Sequence, residues 1–360
     1  MASNSAAGWR TIPDTFRLGH RTSWTASHAR AGKAIRAVVT GAAGFIGSHL
    51  CDRLLADGHD VVGIDCFRDY YPRALKEHNL AQAREFSRFS FRHLDLVEED
   101  LRWILEGADV VFHLAGRSGL GVSQTREFAG QYMRDNVLAT QRLLEALVAK
   151  PVKRLVFAGS FSVYGEAERL PTRETAVPRP LSSYGVTKLA AENLVHLYGR
   201  NFGLSVTTLR YFTVYGPRQR PDMAISRFMR ALVRGNEIEI NGDGEQSRDF
   251  TFVDDVVAAT VCAATADAGG DVLNIGGGSR VTINALLTAL EEISGRRSRR
   301  RHLPVSLAEQ RHSGASINLA RQRLDWEPRV GLRTGLARQW QWFQQPADHR
   351  PGVTQEAVTV

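Results

Sequence analysis

Cysteine is scarce in this chain. Cys51, Cys66 and Cys262 are the only three in 360 residues, and they are scattered. That excludes a disulfide-stapled scaffold and a CxxC-type metal knuckle, and it leaves small core thiols in a reducing compartment. Long apolar runs are missing too: none approaches the ~18 residues that a membrane helix needs. A secretory h-region is absent, so a cytoplasmic location is expected. Aromatic residues make up 8% of the chain. None is interleaved with the basic run Arg296-Arg297-Ser298-Arg299-Arg300-Arg301, so a nucleic acid would find no stacking platform there. That run follows an amphipathic helix and Gly295 and reads as a solvated turn. No nucleic-acid, membrane or metal partner is expected.

What remains is an ordinary globular composition, 43% hydrophobic and 23% charged, with a net charge of +8. Part of the positive excess lies in residues 1–36, where six basic side chains face one acid, Asp14. A basic surface of this kind can steer an anionic nucleotide. Residues 1–35 are Ser-, Arg- and Ala-rich with little periodicity and read as a flexible extension. Residues 346–360 read as a loose tail.

From Arg36 the pattern alternates. Short apolar strands are expected at 37–40, 60–65, 89–93, 109–113, 154–158 and 205–209. Helices are expected between them, at Phe45–Ala56 and in a long helix through Asn136 to Ala149. Strand–helix alternation with short buried strands predicts an α/β fold, a Rossmann-type doubly wound parallel sheet. After Tyr211, prolines and glycines break the rhythm. Residues 36–210 therefore read as a dinucleotide-binding domain. Residues 211–345 read mainly as a smaller mixed α/β substrate-binding lobe, with some segments returning to the first domain.

The turn after the first strand is Thr40-Gly41-Ala42-Ala43-Gly44-Phe45-Ile46-Gly47. Glycines at 41, 44 and 47 allow a tight turn and close backbone approach to a pyrophosphate at a helix N-terminus. Asp65 ends the second strand, where an acid can accept hydrogen bonds from a ribose and repel a 2′-phosphate. NAD is therefore favoured over NADP, with Arg68 nearby as the contrary feature. Asp95-Leu96 can reach an adenine, or Asp95 can cap the next helix. Leu114 and Ala115, in His113-Leu114-Ala115-Gly116, end the fourth strand and can line the same pocket. His113 reads as a hydrogen-bonded structural histidine.

Further along, Ser183-Tyr184-Gly185-Val186-Thr187-Lys188 sits in a helical pattern, so Tyr184 and Lys188 share one face. A cation beside a phenol favours the phenolate, and the tyrosine pKa is expected to fall toward neutrality. Such a tyrosine can take a proton from a sugar hydroxyl. Ser160, just past the fifth strand, can position that hydroxyl.

These ordered motifs resemble the extended short-chain dehydrogenases/reductases, in the nucleotide-sugar epimerase and dehydratase group. The resemblance covers residues 36–345 and includes Asn136-Val137-Leu138, Arg210 through Gly216 and Arg248-Asp249-Phe250. It implies a resident NAD and catalysis by Ser160, Tyr184 and Lys188. A sugar would be oxidised at C4 to a 4-keto intermediate and hydride returned to the opposite face. Phe161 and Ser162 stand where related dehydratases carry Asp-Glu, which favours simple 4-epimerisation. Arg210 through Ala224 is similar to UDP-sugar 4-epimerases. Thr213 and Arg220, with Ser162, look like the sugar-carboxylate contacts of UDP-glucuronate 4-epimerases. Phe161 departs from that pattern. Arg248 and Arg311 match diphosphate-binding arginines. The resemblance thus implies a homodimer acting on UDP-glucuronate and UDP-galacturonate. UDP-glucose and UDP-galactose come next, then a nucleotide-sugar oxidoreductase or dehydratase, then a non-catalytic NAD sensor.

Overall fold

The computed structural model describes residues 34–119, 126–305 and 310–345. The expected tail and nearly all of the expected N-terminal extension lie outside these residues. Residues from Ile35 onward cluster as one compact unit.

The chain opens with β1 (Arg36–Thr40), whose Ala37-Val38-Val39-Thr40 is fully buried. Then come α1 (Phe45–Ala56), β2 (Asp60–Asp65), two short helices α2 (Arg73–Asn79) and α3 (Ala81–Arg84), β3 (Phe89–His93) and β4 (Val110–His113). Next are α4 (Arg126–Tyr132), α5 (Ala139–Ala149), β5 (Arg154–Ser160), α6 (Ser183–Phe202) and β6 (Val206–Tyr211). Beyond Tyr211 the pieces shorten: β7 (Val214–Tyr215), α7 (Ala224–Arg234), β8 (Glu237–Asn241), β9 (Ser247–Asp249) and β10 (Thr251–Phe252). They continue through α8 (Val253–Thr265), β11 (Val272–Ile275), β12 (Arg280–Thr282), α9 (Ile283–Ser294), β13 (Arg299–Leu303), α10 (Asn318–Leu324) and α11 (Leu332–Phe343).

Seven strands form one sheet in the order β11-β6-β5-β4-β1-β2-β3, and every pair in it is parallel. This is the expected Rossmann-type α/β fold. Successive side chains of a strand point to opposite faces. Val39 accordingly packs with Leu50 and Leu54 of α1, while Val38 packs with Leu143 and Leu147 of α5 and Val195 of α6. The order reverses between β1 and β4, and their carboxyl ends open a crevice there, where α/β sheets bind ligands.

Two elements differ from the sequence reading. The expected continuous helix through Asn136 is interrupted by a π-helical stretch, Met133–Leu138, between α4 and α5. Wide turns of this kind re-aim side chains at functional sites. The basic run is not a solvated turn. It leads into β13, which lies parallel to β8 with Arg299 opposite Glu237 and Arg301 opposite Glu239. Arg301 pairs with Glu237 at 3.0 Å and also with Glu239, and Arg300 pairs with Glu291 at 3.2 Å. The acids that set this register lie some sixty residues upstream, beyond the reach of a local pattern. Strand β11 lies at the edge of the sheet, parallel to β6.

Candidate active site

The glycine turn is built around one close approach. Gly41 has φ +72°, and a Cβ there would stand 2.8 Å from the Ala115 amide nitrogen. A Cβ at Gly47 would overlap the Gly41 carbonyl oxygen. Helix α1 begins at Phe45 with Gly44 as N-cap, no side-chain cap and no acid in its first turn. The amides of Phe45, Ile46 and Gly47 are therefore left facing the crevice at the positive end of the helix dipole. This cradle fits a pyrophosphate and has no room for a larger residue at Gly41 or Gly47.

Asp65 ends β2 beside it. Its carboxylate accepts from the Phe67 amide at 2.8 Å and the Ala43 amide at 3.2 Å. Burial raises its pKa, and Lys76 offsets part of that. Asp95 accepts from Val97 N at 3.0 Å, forming a turn rather than capping a helix, and pairs with Arg68 at 2.8 Å and Arg134 at 3.1 Å. Arg68 is thus turned toward acids. Leu96 is buried, and Leu114 and Ala115 are half-buried at the end of β4.

His113 is structural, as expected. The Thr140 hydroxyl gives its hydrogen to Asn136 O at 2.6 Å, so His113 Nε2 donates to Thr140 Oγ1 at 3.0 Å. Nδ1 then accepts from Thr40 at 2.7 Å. Burial lowers the ring pKa to about 3, with the Lys188 charge adding to the effect, and the imidazole stays neutral.

Ser160 ends β5 and is 5% exposed. Its hydroxyl accepts from Ser162 N at 3.2 Å and favours the phenolate of nearby Tyr184. Tyr184 and Lys188 lie one turn apart on α6. Ser182 caps that helix by accepting from Gly185 N at 3.1 Å. Gly185 permits contact with the Ser160 loop, since a Cβ there would stand 2.6 Å from Ser162 O. Lys188 Nζ lies 4.6 Å from the centre of the Phe157 ring. Burial lowers its pKa to about 8, against the opposing pull of Glu192.

One expectation is corrected here. Without cofactor, the Tyr184 pKa is raised, not lowered. Burial penalises the phenolate, and the Ser160 hydrogen bond and the Arg220 charge return only part of that cost. Arg220, from a distant loop, is among the charges that favour the phenolate.

The other sugar-side candidates divide into two groups. Ser162 and Arg248 line one small, shallow pocket together with Phe161 and Gln310. Phe161 stacks on Phe212 at 5.3 Å. Thr213 follows Phe212, and its hydroxyl is buried without a hydrogen-bond partner. Arg220 Nε and Nη2 both bind Asp222, at 3.0 and 2.9 Å, and Nη1 donates to the Ser118 hydroxyl. Asp222 therefore occupies the side-on Nε/Nη2 edge of this guanidinium. Arg311 stands apart: it is half-exposed and pairs with Asp243 at 2.7 Å.

Sequence reasoning gave no role to three groups that build this site. Asn136, on the π-helical stretch, accepts from Arg117 N at 2.7 Å and donates to Arg117 O and Thr187 Oγ1, both at 3.0 Å. It ties the loop after β4 to α6. Glu192 lies one turn beyond Lys188 and binds Arg210 Nε at 3.0 Å, both side chains being buried. The stripe Tyr184, Lys188, Glu192 at four-residue spacing was the available signal. Asp222 is the third, two residues from Arg220.

A parallel sheet with a pyrophosphate cradle at its switch point and a Ser, Tyr and Lys cluster beside it defines a dinucleotide-dependent Rossmann enzyme. Residues 37–276 match the model of the NAD dependent epimerase/dehydratase family. The chain belongs to that family. It is 42% identical over 304 residues to YtcB of Bacillus subtilis, an uncharacterized UDP-glucose epimerase, covering 84% of this chain and 96% of the relative. It is 36% identical over 312 residues to a UDP-glucuronate 4-epimerase of Thermodesulfobacterium geofontis, covering 86% and 96%. The UDP-glucuronic acid 4-epimerase of Bacillus cereus, solved with UDP-glucuronic acid and NAD, superposes with a TM-score of 0.84 at 40% identity, covering 86% of this chain and 99% of that one. The relatives thus mark the chain as an NAD-dependent enzyme of the UDP-sugar 4-epimerase kind.

Proposed function

We propose that this chain interconverts UDP-glucuronate and UDP-galacturonate by epimerisation at C4. The observation that carries the reading is that Ser160 and the Arg220 charge both act on the buried Tyr184 phenol, one helical turn from buried Lys188. The similarity to UDP-glucuronate 4-epimerases supports it.

The first-turn amides of α1 and the Gly41/Gly44/Gly47 turn would hold the pyrophosphate of NAD. Asp65 would take a ribose, with Asp95, Leu96, Leu114 and Ala115 around the rest. NAD, when bound, supplies a hydride acceptor at C4 and positive charge beside the phenol. Tyr184 Oη removes the proton from the sugar 4-hydroxyl and gives it back on the return step. Ser160 holds the same oxygen through both steps. Lys188 adds positive charge beside the developing phenolate. Arg248 would grip the diphosphate, with Arg311 at its outer edge, and Ser162, Thr213 and Arg220 would surround the sugar C6 group. Exposed Met133, Leu138, Val186 and Leu197, on the segments around Asn136 and Tyr184, form an apolar face suited to a second copy of the chain.

A second reading, UDP-glucose/UDP-galactose epimerisation, is favoured by the neutralisation of Arg220 by Asp222 and by the likeness to YtcB. Incubation of purified protein with each UDP-sugar, without added NAD, followed by NMR of the products, tests both. Faster conversion of the uronate supports the first reading. Faster conversion of the neutral sugar replaces it with the second, and turnover that requires added NAD removes both.

A further inference from the structure

A chain of buried polar groups leads away from the catalytic helix. Glu192 holds the Arg210 guanidinium through Nε at 3.0 Å and through Nη2. The remaining nitrogen, Nη1, donates to the Tyr164 hydroxyl at 2.7 Å and, at 3.4 Å, to Glu174 O. The Tyr164 hydroxyl donates in turn to Asn274 Oδ1 at 2.7 Å. Asn274 stands opposite Arg210 where β11 pairs with β6, and its Nδ2 donates to Thr172 O at 3.0 Å and Ser316 O at 3.4 Å. Glu192, Arg210, Tyr164 and Asn274 are all buried. Next to Ser316, the Ala315 amide donates to Asp249 at 3.0 Å, and Asp249 follows Arg248 in β9. The strip beside Arg248 is thereby joined to the carboxylate one turn beyond Lys188.

We propose that Tyr164 is a positioning residue for the catalytic cation: its hydroxyl, shared between Arg210 and Asn274, fixes the Arg210 guanidinium and, through it, the Glu192 carboxylate that acts on Lys188. This rests on the reading of Lys188 as the cation beside the Tyr184 phenol. A hydroxyl that donates onward is a stronger acceptor, because each bond in a chain polarises the next. The Tyr164 ring also lies 4.7 Å from the Arg210 guanidinium, so ring and hydroxyl hold one group from two directions. Few groups face Lys188. Strand β5 presents the Phe157 ring, the loop after β4 presents Gly116, and His113 is neutral. On its own helix Tyr184 lies one turn before it and Glu192 one turn after. Glu192 is the acid among them, and it opposes the burial that disfavours the ammonium. Without the Tyr164 hydroxyl, Arg210 would turn its charge wholly onto Glu192 or draw it out of place. In both cases less of the carboxylate's field reaches Lys188.

The test is Tyr164→Phe, which removes the hydroxyl and keeps the ring against Arg210 and Phe212. Bound NAD and circular dichroism are compared with the parent to establish the fold. For the UDP-sugar that is converted, kcat is expected to fall about tenfold, the scale of a small misplacement remote from the chemistry, while KM stays near the parent value. The alkaline limb of the pH–rate profile is expected to move to lower pH, the direction expected of Glu192→Gln. The double variant should lose no more than Glu192→Gln alone, because both changes act through one carboxylate. A merely structural hydroxyl would lower stability and leave the limb in place. An unmoved limb, a limb moved to higher pH, an unchanged kcat, or losses that add in the double variant would each overturn the proposal. If Glu192→Gln does not fold, the limb of the single Tyr164→Phe variant decides. Turnover that persists in Tyr184→Phe would instead remove the reading of the catalytic pair, a result separable from every outcome for Tyr164.

Discussion

Replacing Lys188 by methionine should make the cofactor-free protein more stable and the enzyme inactive. Lys188 is 7% exposed, and burial takes its pKa from 10.5 to about 8. The folded pKa lies below the unfolded one, so the unfolded chain holds the proton more tightly. The charge therefore costs stability at every pH below 8, and the cost fades as pH rises from 8 to 10.5. One pKa unit corresponds to about 1.4 kcal/mol, so the drop of 2.5 units (10.5 − 8) amounts to ~3 kcal/mol at pH 7. Methionine fills the same channel without a charge, and Glu192 keeps its partner Arg210. Urea denaturation of NAD-stripped protein should show the variant more stable by ~2–3 kcal/mol at pH 7, with most of that gain gone by pH 10. Turnover should fall by at least ~100-fold, the usual scale for losing a group that tunes a proton transfer. A variant less stable than the parent at pH 7, or a difference that does not change with pH, would refute the account of Lys188 as a strained cation kept for function.

Gly47→Ala places a methyl group on the Gly41 carbonyl oxygen. The purified variant should lose its bound NAD, read from the absorbance of the protein–cofactor complex, and lose ~1–3 kcal/mol of stability. Glu192→Gln strands the buried Arg210 and should cost ~3–5 kcal/mol in denaturation, while moving the alkaline limb of the pH–rate profile to lower pH as Lys188 loses its counter-charge. His113 is held neutral with its pKa lowered to about 3, below the unfolded value of 6.5. The unfolded chain binds the extra proton, so this histidine should make stability fall as pH drops from 6.5 toward 3. His113→Gln should flatten that part of the acid limb, and an unchanged limb would mean that other groups govern it.

Most of the sheet was legible because buried parallel strands are short apolar runs and glycine turns punctuate them. Helix α1 and strand β3 fall where the sequence placed them, and the other expected strands agree to within a residue or two. The π-helical stretch at Asn136 was not legible. Its residues suit a helix, and the wide turn goes with contacts from Asn136 to Arg117 and Thr187 that lie far off in sequence. Strand β13 was missed for a similar reason: an arginine run has no strand signature until Glu237 and Glu239 lie opposite it. At the site, spacing brought out the Tyr184 and Lys188 pair. The acidity of Tyr184 was misread because burial, which raises the pKa, is a property of packing. Asp222 was visible two residues from Arg220, but its grip on the guanidinium depends on a loop clamped from α1 and α11.

The central claim is that oxidation and reduction happen at one carbon on a cofactor that never leaves. The most direct measurement uses UDP-glucuronate deuterated at C4, incubated without added NAD, with the C4 epimer read by NMR and mass spectrometry. The account predicts that the product keeps its deuterium at C4 within each molecule, and that Tyr184→Phe suppresses product formation. Loss of the deuterium to solvent, or epimer formed equally well by the Tyr184→Phe variant, would contradict it.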